Sequence, residues 1–351
     1  MVRFTDIINL GDEKGKEQGS SRENAGEEKL WFTSTELISL DKERRTQEPR
    51  EPEPGDSKRK EAASWYEGLL EKQREVSKKV KASRGISPSP VLADLHHIIQ
   101  KGLINELYDY ACLVPTGRPD LEAHVVAVTF GSMKIGKGME YDMRGLLKLG
   151  LAAFFENVGM HKIPDEVLKK SGRLNREEIE LIRRHPEISC EILASMGKQY
   201  RWLAEIALQV HERADGSGYP KGLSGTEILE EASIIGLMDT YVSLITDRWQ
   251  RRRLIQPDAV RHIVTREKKR FPPGILKVFL GQISLFPVGT IVKLNNKYIG
   301  RVVSTNEEQP LRPVIQLLYN SESNRVERGE RVSLSENPLL YITQGIDERD
   351  L

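Results

Sequence analysis

The sequence is poor in cysteine, in long apolar runs and in surplus charge of either sign. Its two cysteines, Cys112 and Cys190, exclude a disulfide framework and a thiolate zinc site. With 53 basic and 52 acidic residues the net charge is only +1, so bulk attraction to nucleic acid or to an acidic membrane is not expected. The sequence contains no run of about 18 apolar residues, so no transmembrane helix is predicted. Its N-terminus lacks the pattern of a signal peptide. We therefore expect a cytoplasmic protein without nucleic-acid or membrane partners.

The chain is long enough for several domains, but its first part is too polar to fold. Its 351 residues allow two or three domains at roughly 100–200 residues each. Charged residues make up 30% and hydrophobic residues 38% of the chain, which is polar for one compact domain. Residues 1–61 are dense in charge and include Pro49, Pro52 and Pro54, so they cannot bury enough apolar surface to offset their ordering entropy. We predict that residues 1–61 form a disordered N-terminal segment.

Beyond that segment the hydrophobic pattern changes from helical to strand-like. Residues 62–116 place Trp65 and Leu69 at helical spacing, which predicts an N-terminal helical region. Residues 117–285 continue with helical patterns and form the predicted main domain. From residue 286 the apolar runs are short, and one pair of runs flanks the turn at Asn295 and Asn296, as in a hairpin. The predicted fold class is therefore mainly α, with a small β appendage and tail over residues 286–351.

Capping residues indicate where helices of the main domain begin and end. A helix is predicted over residues 120–137, with Gly138 as its C-cap. Asn175 and Glu178 have the spacing of a capping box and begin the next clear helix. We predict that this helix ends at His185, because a proline follows immediately.

Three histidines and one aspartate from separate helices are candidate metal ligands. They are His124, His185, His211 and Asp239. Asp120 lies four residues before His124, so both side chains share one helical face. A single helical histidine is more often a core or surface residue than a ligand. Imidazoles and carboxylates that project from several helices of one bundle are, however, what a buried divalent-metal site needs.

The stretch His-Glu-Arg-Ala-Asp-Gly-Ser-Gly-Tyr-Pro, which begins at His211, is the most specific motif in the chain. Its glycines permit backbone angles that other residues resist, and its proline holds the preceding residue extended. The stretch resembles the signature of the HD-GYP family, which are HD-superfamily phosphodiesterases that hydrolyse cyclic di-GMP. The resemblance covers about residues 117–345 and implies an HD-type helical bundle. The loop residues that match the signature are Asp215, Gly216, Gly218, Tyr219 and Pro220.

The same resemblance identifies positions where the chain departs from the family pattern. The metal-binding His-Asp dyad of the family falls on Glu156 and Asn157, and the lysine that follows it falls on Met160. The first histidine of the family's His-His pair is Val210, and an aspartate of the last signature helix is Val242. Two dications about 3.5–4 Å apart need an anionic bridging ligand, because they repel strongly, and an asparagine is neutral. The resemblance therefore implies a divergent member with a degenerate metal site and impaired catalysis.

Enough family ligand positions keep a donor to hold a single ion. A mixed shell of nitrogen and oxygen suits one divalent transition metal, Fe or Mn. No metal is expected if the cavity has closed. His161 lies close to the lost dyad but outside the ligand positions, and we interpret it as a loop or surface histidine. The retained donors are Asp120, His124, Glu156, His185, His211 and Asp239.

The sequence is compatible with three functions. The leading hypothesis is a non-catalytic protein that binds cyclic di-GMP, a signalling protein that contacts the Gly-Tyr-Pro loop, or both. Arg248 and Arg251 match family positions that contact nucleotide phosphates, although the basic run around them is also typical of a solvated helix end. The second hypothesis is a metal-dependent phosphodiesterase with altered metal ligands. The third is a structural scaffold without a ligand.

Overall fold

The structure is a computed structural model that describes most of the chain after residue 53. The described residues are 54–113, 120–247, 252–283, 285–306, 309, 311–322, 324–326 and 329–347. Their contacts divide the chain into two units. One unit is helical and contains the described residues up to Leu254 together with Asp258–Ile283. The other contains the short segment Ile255–Pro257 and the described residues after position 284.

The helical unit contains long helices joined by short turns. No helix among the described residues has both the length and the apolar character needed to cross a membrane. Three 3-10 segments, Glu156–Lys162, Lys198–Tyr200 and Gly225–Glu227, connect successive helices, and a π-turn at Ile263–Glu267 and a 3-10 turn at Lys268–Arg270 precede the last helix. The α-helices are α1 Pro54–Lys81, α2 Ser89–Gln100, α3 Ile104–Leu113, α4 Leu121–Gly138, α5 Met143–Phe155, α6 Asp165–Leu168, α7 Arg176–Arg183, α8 His185–Ala194, α9 Arg201–Gln209, α10 Glu230–Ile245, α11 Gln256–His262 and α12 Pro273–Gln282.

Helices α4 and α10 pack against each other at the centre of this unit. Every residue of α10 from Ala232 to Leu244 is buried, and α4 is buried from Ala123 to Met133. Helices that are buried on all sides belong to the interior of a bundle. The mainly α fold of the prediction is therefore confirmed, and two of the predicted metal ligands, His124 and Asp239, lie on these central helices.

Three boundaries predicted from the sequence are wrong. Helix α1 begins at Pro54, so the predicted disordered segment cannot reach residue 61; proline suits the first helical position, and the Lys, Glu and Ala residues after it are good helix formers. Gly138 is still helical, and Met139 caps α4 instead. His185 does not end a helix but begins α8, because Pro186 is tolerated in the first turn of a new helix. The capping box of Asn175 and Glu178 is confirmed, with both of its hydrogen bonds present.

The second unit contains one antiparallel sheet of short strands. The strands are β1 Ile291–Leu294, β2 Ile299–Ser304, β3 Val314–Tyr319, β4 Arg331–Ser333 and β5 Ile342–Ile346, in the order β4-β3-β2-β1-β5. Strands β1 and β2 form the predicted hairpin, in which Ile291 pairs with Arg301. One face of the sheet carries the apolar core of the unit, which includes Val292, Val302 and Ile315. The predicted small β appendage is thus confirmed.

Candidate metal centre

Three buried side chains from different elements converge in the helical unit: Glu156, His185 and His211. Glu156 begins the 3-10 segment after α5, His185 begins α8, and His211 lies two residues after the end of α9. One ligand atom of each side chain lies within 4.8 Å of the other two. All three residues are at most 1% exposed. Such a group of buried nitrogen and oxygen donors can hold a metal ion.

The contacts of His185 show that its Nε2 atom carries a lone pair and faces His211. Its Nδ1 lies 2.7 Å from the carbonyl oxygen of Ile182, which can only accept, so Nδ1 carries the ring proton. Its Nε2 lies 2.9 Å from Nε2 of His211. Burial lowers the pKa of His185 to about 4 and the pKa of His211 well below its usual value, so both rings are neutral near pH 7. Neutral imidazole is the form that binds a metal.

The carboxyl group of Glu156 is buried, and only one of its two oxygens accepts a hydrogen bond among the described residues. Burial, reinforced by the negative charge of Asp239, raises the pKa of Glu156 well above its usual value. The Asn157 side-chain nitrogen donates a hydrogen bond to one carboxyl oxygen, Oε1. The other oxygen, Oε2, is buried and has no hydrogen-bond partner among the described residues. Such an unsatisfied acceptor is costly, and a cation at this position would satisfy it. The donors of the centre therefore fit a metal ion.

A second pair of side chains joins the same cluster. The Nε2 atom of His124 lies 2.8 Å from Oδ1 of Asp239. The other carboxylate oxygen of Asp239 lies 3.9 Å from Nδ1 of His211. Both residues are buried, with 4% and 1% exposure. The structure thus brings five of the six predicted donors into one continuous cluster between α4, α5, α8, α9 and α10.

The glycine-rich loop folds back over this cluster. The ring of Tyr219 stacks on that of His211, with 5.1 Å between centroids and 4° between planes. The backbone N–H of Tyr219 also donates to the carbonyl of His211 at 3.1 Å. Gly216 has a φ of 77°, which favours glycine. At Gly218 a Cβ atom would lie 2.4 Å from the backbone of Glu212 and Arg213, so only glycine fits there.

Glu212 and Arg213, which follow His211, hold this loop in place. The sequence analysis did not predict this supporting role. The buried carboxylate of Glu212 accepts backbone hydrogen bonds from Lys221 at 2.7 Å and Leu223 at 2.9 Å. The buried guanidinium of Arg213 donates to the carbonyls of Val210 at 3.0 Å and Glu212 at 2.8 Å, on either side of His211. Their adjacency to a candidate ligand is the only sequence signal, and it does not distinguish a supporting residue from a surface charge.

Comparisons with known proteins agree with the division into a helical and a β unit. Residues 116–275 match the family model of an HD domain, and residues 291–351 match that of a KOW domain associated with HD domain. The HD-domain match supports the predicted resemblance of this chain to the HD-GYP family. A solved structure of Bd1817, a HDG"Y"P protein from Bdellovibrio bacteriovorus, superposes with a TM-score of 0.52 at 15% identity, and the match covers 65% of this chain and 73% of that one. At this identity the likeness concerns the fold alone.

Two curated cyclic di-GMP phosphodiesterases are more similar to this chain in sequence. The cyclic di-GMP phosphodiesterase PA4108 of Pseudomonas aeruginosa is 27% identical over 200 residues, which are 57% of this chain and 48% of the relative. The cyclic di-GMP phosphodiesterase PdeB of Borreliella burgdorferi is 28% identical over 215 residues, 61% of this chain and 56% of the relative. The chain thus spans about half the length of the curated relatives that it matches.

Three positions that depart from the HD-GYP pattern, Met160, Val210 and Val242, are buried and apolar in this chain. Met160 is 1% exposed and packs in an apolar cluster with Leu121 and Val125. Val210 is fully buried, and its carbonyl accepts the hydrogen bond of Arg213. Val242 is 2% exposed. These side chains fill space that a metal ligand or a phosphate-binding charge could otherwise use, and none of them offers a donor.

Asp120, a predicted ligand, and His161, interpreted as a loop or surface residue, both make other contacts in the structure. Asp120 is the N-cap of α4, and its carboxylate accepts the backbone N–H of Glu122 at 3.0 Å, so its main contact here is a helix cap and its role as a ligand stays a prediction. His161 is not a surface residue, because it is 8% exposed and its Nδ1 lies 3.1 Å from Oγ of Ser77. Burial lowers the pKa of His161 to about 4.

The predicted phosphate contacts, Arg248 and Arg251, lie outside the described residues. A cavity opens between α4 and the residues that precede and follow positions 248–251 along the chain. It is partly apolar and partly charged, and the imidazole of His124 reaches it. Its lining includes Cys112, His124, Val242, Thr246, Asp247 and Arg253. The cluster of candidate ligands and this cavity therefore share His124.

The carboxyl group of Glu122 predicts a pH dependence of stability. Burial, assisted by a hydrogen bond with Asp120, raises its pKa from 4.5 to about 7. The folded state therefore binds more protons than the unfolded state between these values, and stability falls as the pH rises from about 4.5 to about 7. We expect Glu122→Gln to remove about 1 kcal/mol of this loss, a modest amount because the side chain is partly exposed to solvent. Urea unfolding at pH 5 and pH 8 measures it, and Glu177→Gln, in the first turn of α7, is the control. Equal pH dependence in all three proteins would contradict the expectation.

Proposed function

We propose that this chain is a divergent HD-GYP protein that binds cyclic di-GMP beside a single divalent transition metal, Fe or Mn, and hydrolyses it poorly or not at all. The observation that carries the proposal is the composition of the centre. Glu156, His185 and His211 offer ligand atoms within 4.8 Å of one another, while Asn157 presents its amide nitrogen to Glu156. The nucleotide is proposed because PA4108 and PdeB are named cyclic di-GMP phosphodiesterases.

The donor set supports one ion rather than two. A two-metal phosphodiesterase needs an anionic bridge between ions about 3.5–4 Å apart. Asn157 stands at the position of that bridge in the HD-GYP pattern, and its neutral amide does not offset the repulsion of two dications. Val210, at the position of a lost histidine, is fully buried and has no donor. A single ion with a mixed imidazole and carboxylate shell is consistent with what remains.

The rest of the cluster would hold and orient these ligands. His185 directs the lone pair of its Nε2 towards His211, because its Nδ1 donates to the carbonyl of Ile182. Tyr219 fixes the plane of His211 by stacking on it. The carboxylate of Asp239 lies between His124 and His211. The bound ion would supply Lewis-acid polarisation of a phosphate oxygen, and the cavity beside His124 is where we place the nucleotide.

A second candidate function is a phosphodiesterase that works with one metal ion. It is favoured by the five buried donors that remain contiguous, since a protein without any metal chemistry has no need to bury two imidazoles in contact. Product formation separates the two functions: a binding protein retains intact cyclic di-GMP, whereas a one-metal enzyme converts it to linear nucleotide.

A signalling protein that contacts the Gly-Tyr-Pro loop is also proposed as a partner. Tyr219 is buried against His211, so it is not the residue that such a partner would meet. Asp215, Ser217 and Lys221 are the exposed residues of this loop. A pull-down with the Ser217→Arg variant against wild type tests whether a partner uses this face.

The proposed function is tested by measuring binding and turnover on the same sample. Purified full-length chain, loaded anaerobically with Mn²⁺ or Fe²⁺, is titrated with cyclic di-GMP by calorimetry, and the mixture is then analysed by chromatography. We expect saturable binding with the nucleotide recovered intact. Saturable binding with steady product formation would favour the one-metal enzyme. Absence of binding with either metal would contradict both functions and support the scaffold.

A further inference from the structure

Helix α1 carries two buried polar residues in an otherwise apolar stripe. Its buried face includes Tyr66, Leu69, Val76 and Val80. Gln73 and Ser77 interrupt this stripe at four-residue spacing and are only 2% and 9% exposed. Buried polar groups cost free energy unless they are hydrogen-bonded, so the partners of these two residues indicate what they are for.

Both residues bond to the segment that carries Glu156 and Asn157. The Nε2 atom of Gln73 donates to the carbonyl of Phe154 at 2.6 Å, two residues before Glu156. The Oγ atom of Ser77 lies 3.1 Å from Nδ1 of His161, near the end of the 3-10 segment Glu156–Lys162. The two contacts thus bracket this segment on its α1 side.

The opposite side of the segment is held by α8, the helix that His185 begins. The hydroxyl of Ser189 donates to the carbonyl of Glu156 at 2.7 Å and accepts the backbone N–H of Gly159 at 2.8 Å. Segment Glu156–Lys162 is therefore fixed from two sides. The α8 contact belongs to the matched HD domain, whereas α1 precedes it, since the match begins at residue 116.

We propose that Gln73 and Ser77 are positioning residues of the metal centre, which hold segment Glu156–Lys162 so that Glu156 faces His185 and His211. The proposal rests on the proposed function, because it requires that these three side chains bind a metal ion. Its consequence is that α1, outside the matched HD domain, is part of the structure that sets metal affinity. Loss of either contact frees one end of the segment and lets the Glu156 carboxyl group move away from the two imidazoles.

The test is Mn²⁺ affinity of the full chain, stripped with chelator and titrated while free Mn²⁺ is followed by electron paramagnetic resonance. We expect Ser77→Ala and Gln73→Leu each to weaken Mn²⁺ binding about tenfold, as loss of outer contacts to metal ligands typically does. Ser77→Thr keeps the hydroxyl and should bind close to wild type. Ser64→Ala is the matched control, since Ser64 is exposed on the same helix, and it should change nothing.

Thermal unfolding of each variant separates positioning from general stability. A lower melting temperature with unchanged Mn²⁺ affinity would overturn the proposal, because α1 would then only support the fold. Wild-type affinity in both Ser77→Ala and Gln73→Leu would also overturn it and leave the proposed metal site intact. A wild-type chain that binds no Mn²⁺ would overturn the metal site and this proposal together.

Discussion

Asn157→Asp combined with Val210→His is expected to raise the metal content from about one ion to about two per chain. The aspartate would supply the anionic bridge, and the histidine would supply the imidazole that the second ion lacks. Hydrolysis of cyclic di-GMP should rise by about a hundredfold or more, because a second activating ion contributes several kcal/mol and each ~1.4 kcal/mol is about tenfold in rate. Elemental analysis and a phosphodiesterase assay on the same preparation measure both effects.

The controls for this variant follow from the site. Asn157→Asp alone should gain less metal than the pair, since the position of Val210 would still offer no donor. Asn175→Asp makes the same chemical change at the exposed N-cap of α7, where aspartate caps equally well, and should leave metal content unchanged. A double variant that gains no ion would show that the buried valine position has closed, and it would favour the scaffold.

Gly218→Ala is expected to cause the largest loss of stability among single changes in the loop. The new Cβ would lie 2.4 Å from the backbone nitrogen of Arg213 and 2.4 Å from Cα of Glu212, and backbone atoms cannot move aside as a flexible side chain can. We expect a loss of about 3 kcal/mol, the upper range for overpacking. Displacement of Tyr219 from His211 should weaken metal binding as well.

Urea unfolding measures this loss against a matched glycine. Gly172→Ala is the control, because a Cβ at Gly172 meets no atom within 4 Å and its φ is not in the left-handed region. The control should be neutral or slightly stabilising, since alanine restricts the unfolded chain. Equal stability of the two variants would show that the loop adapts and that its close approach to Glu212 is not required.

Local signals in the sequence predicted the helices and the hairpin well. The capping box of Asn175 and Glu178 specifies a helix start by hydrogen bonds between residues three apart, so it can be read without knowledge of the fold. The turn at Asn295 and Asn296 specifies the β1–β2 hairpin in the same way. The predicted helix end at His185 was wrong, because a proline can either follow the end of a helix or occupy the first turn of a new one. Only tertiary packing decides between these two cases.

The sequence predicted side chains that cluster in the candidate site, but not the residues that hold them in place. Family resemblance pointed to His124, His185, His211 and Asp239, which the structure brings together. The contacts of Gln73 and Ser77 join residues 81 and 84 positions apart, so no local pattern could indicate them. The only sequence signal was a polar residue within an apolar helical stripe. That pattern does not indicate which residue is the hydrogen-bond partner.

The metal content of the wild-type chain decides whether the site with a neutral bridge position holds one ion. Protein expressed in metal-supplemented medium and purified without chelator is analysed for Fe, Mn and Zn by mass spectrometry, with protein concentration from amino-acid analysis. We expect about one ion per wild-type chain and its loss in the His185→Ala variant. About two ions per wild-type chain would contradict this expectation, because Asn157 would then be compatible with a bridged pair.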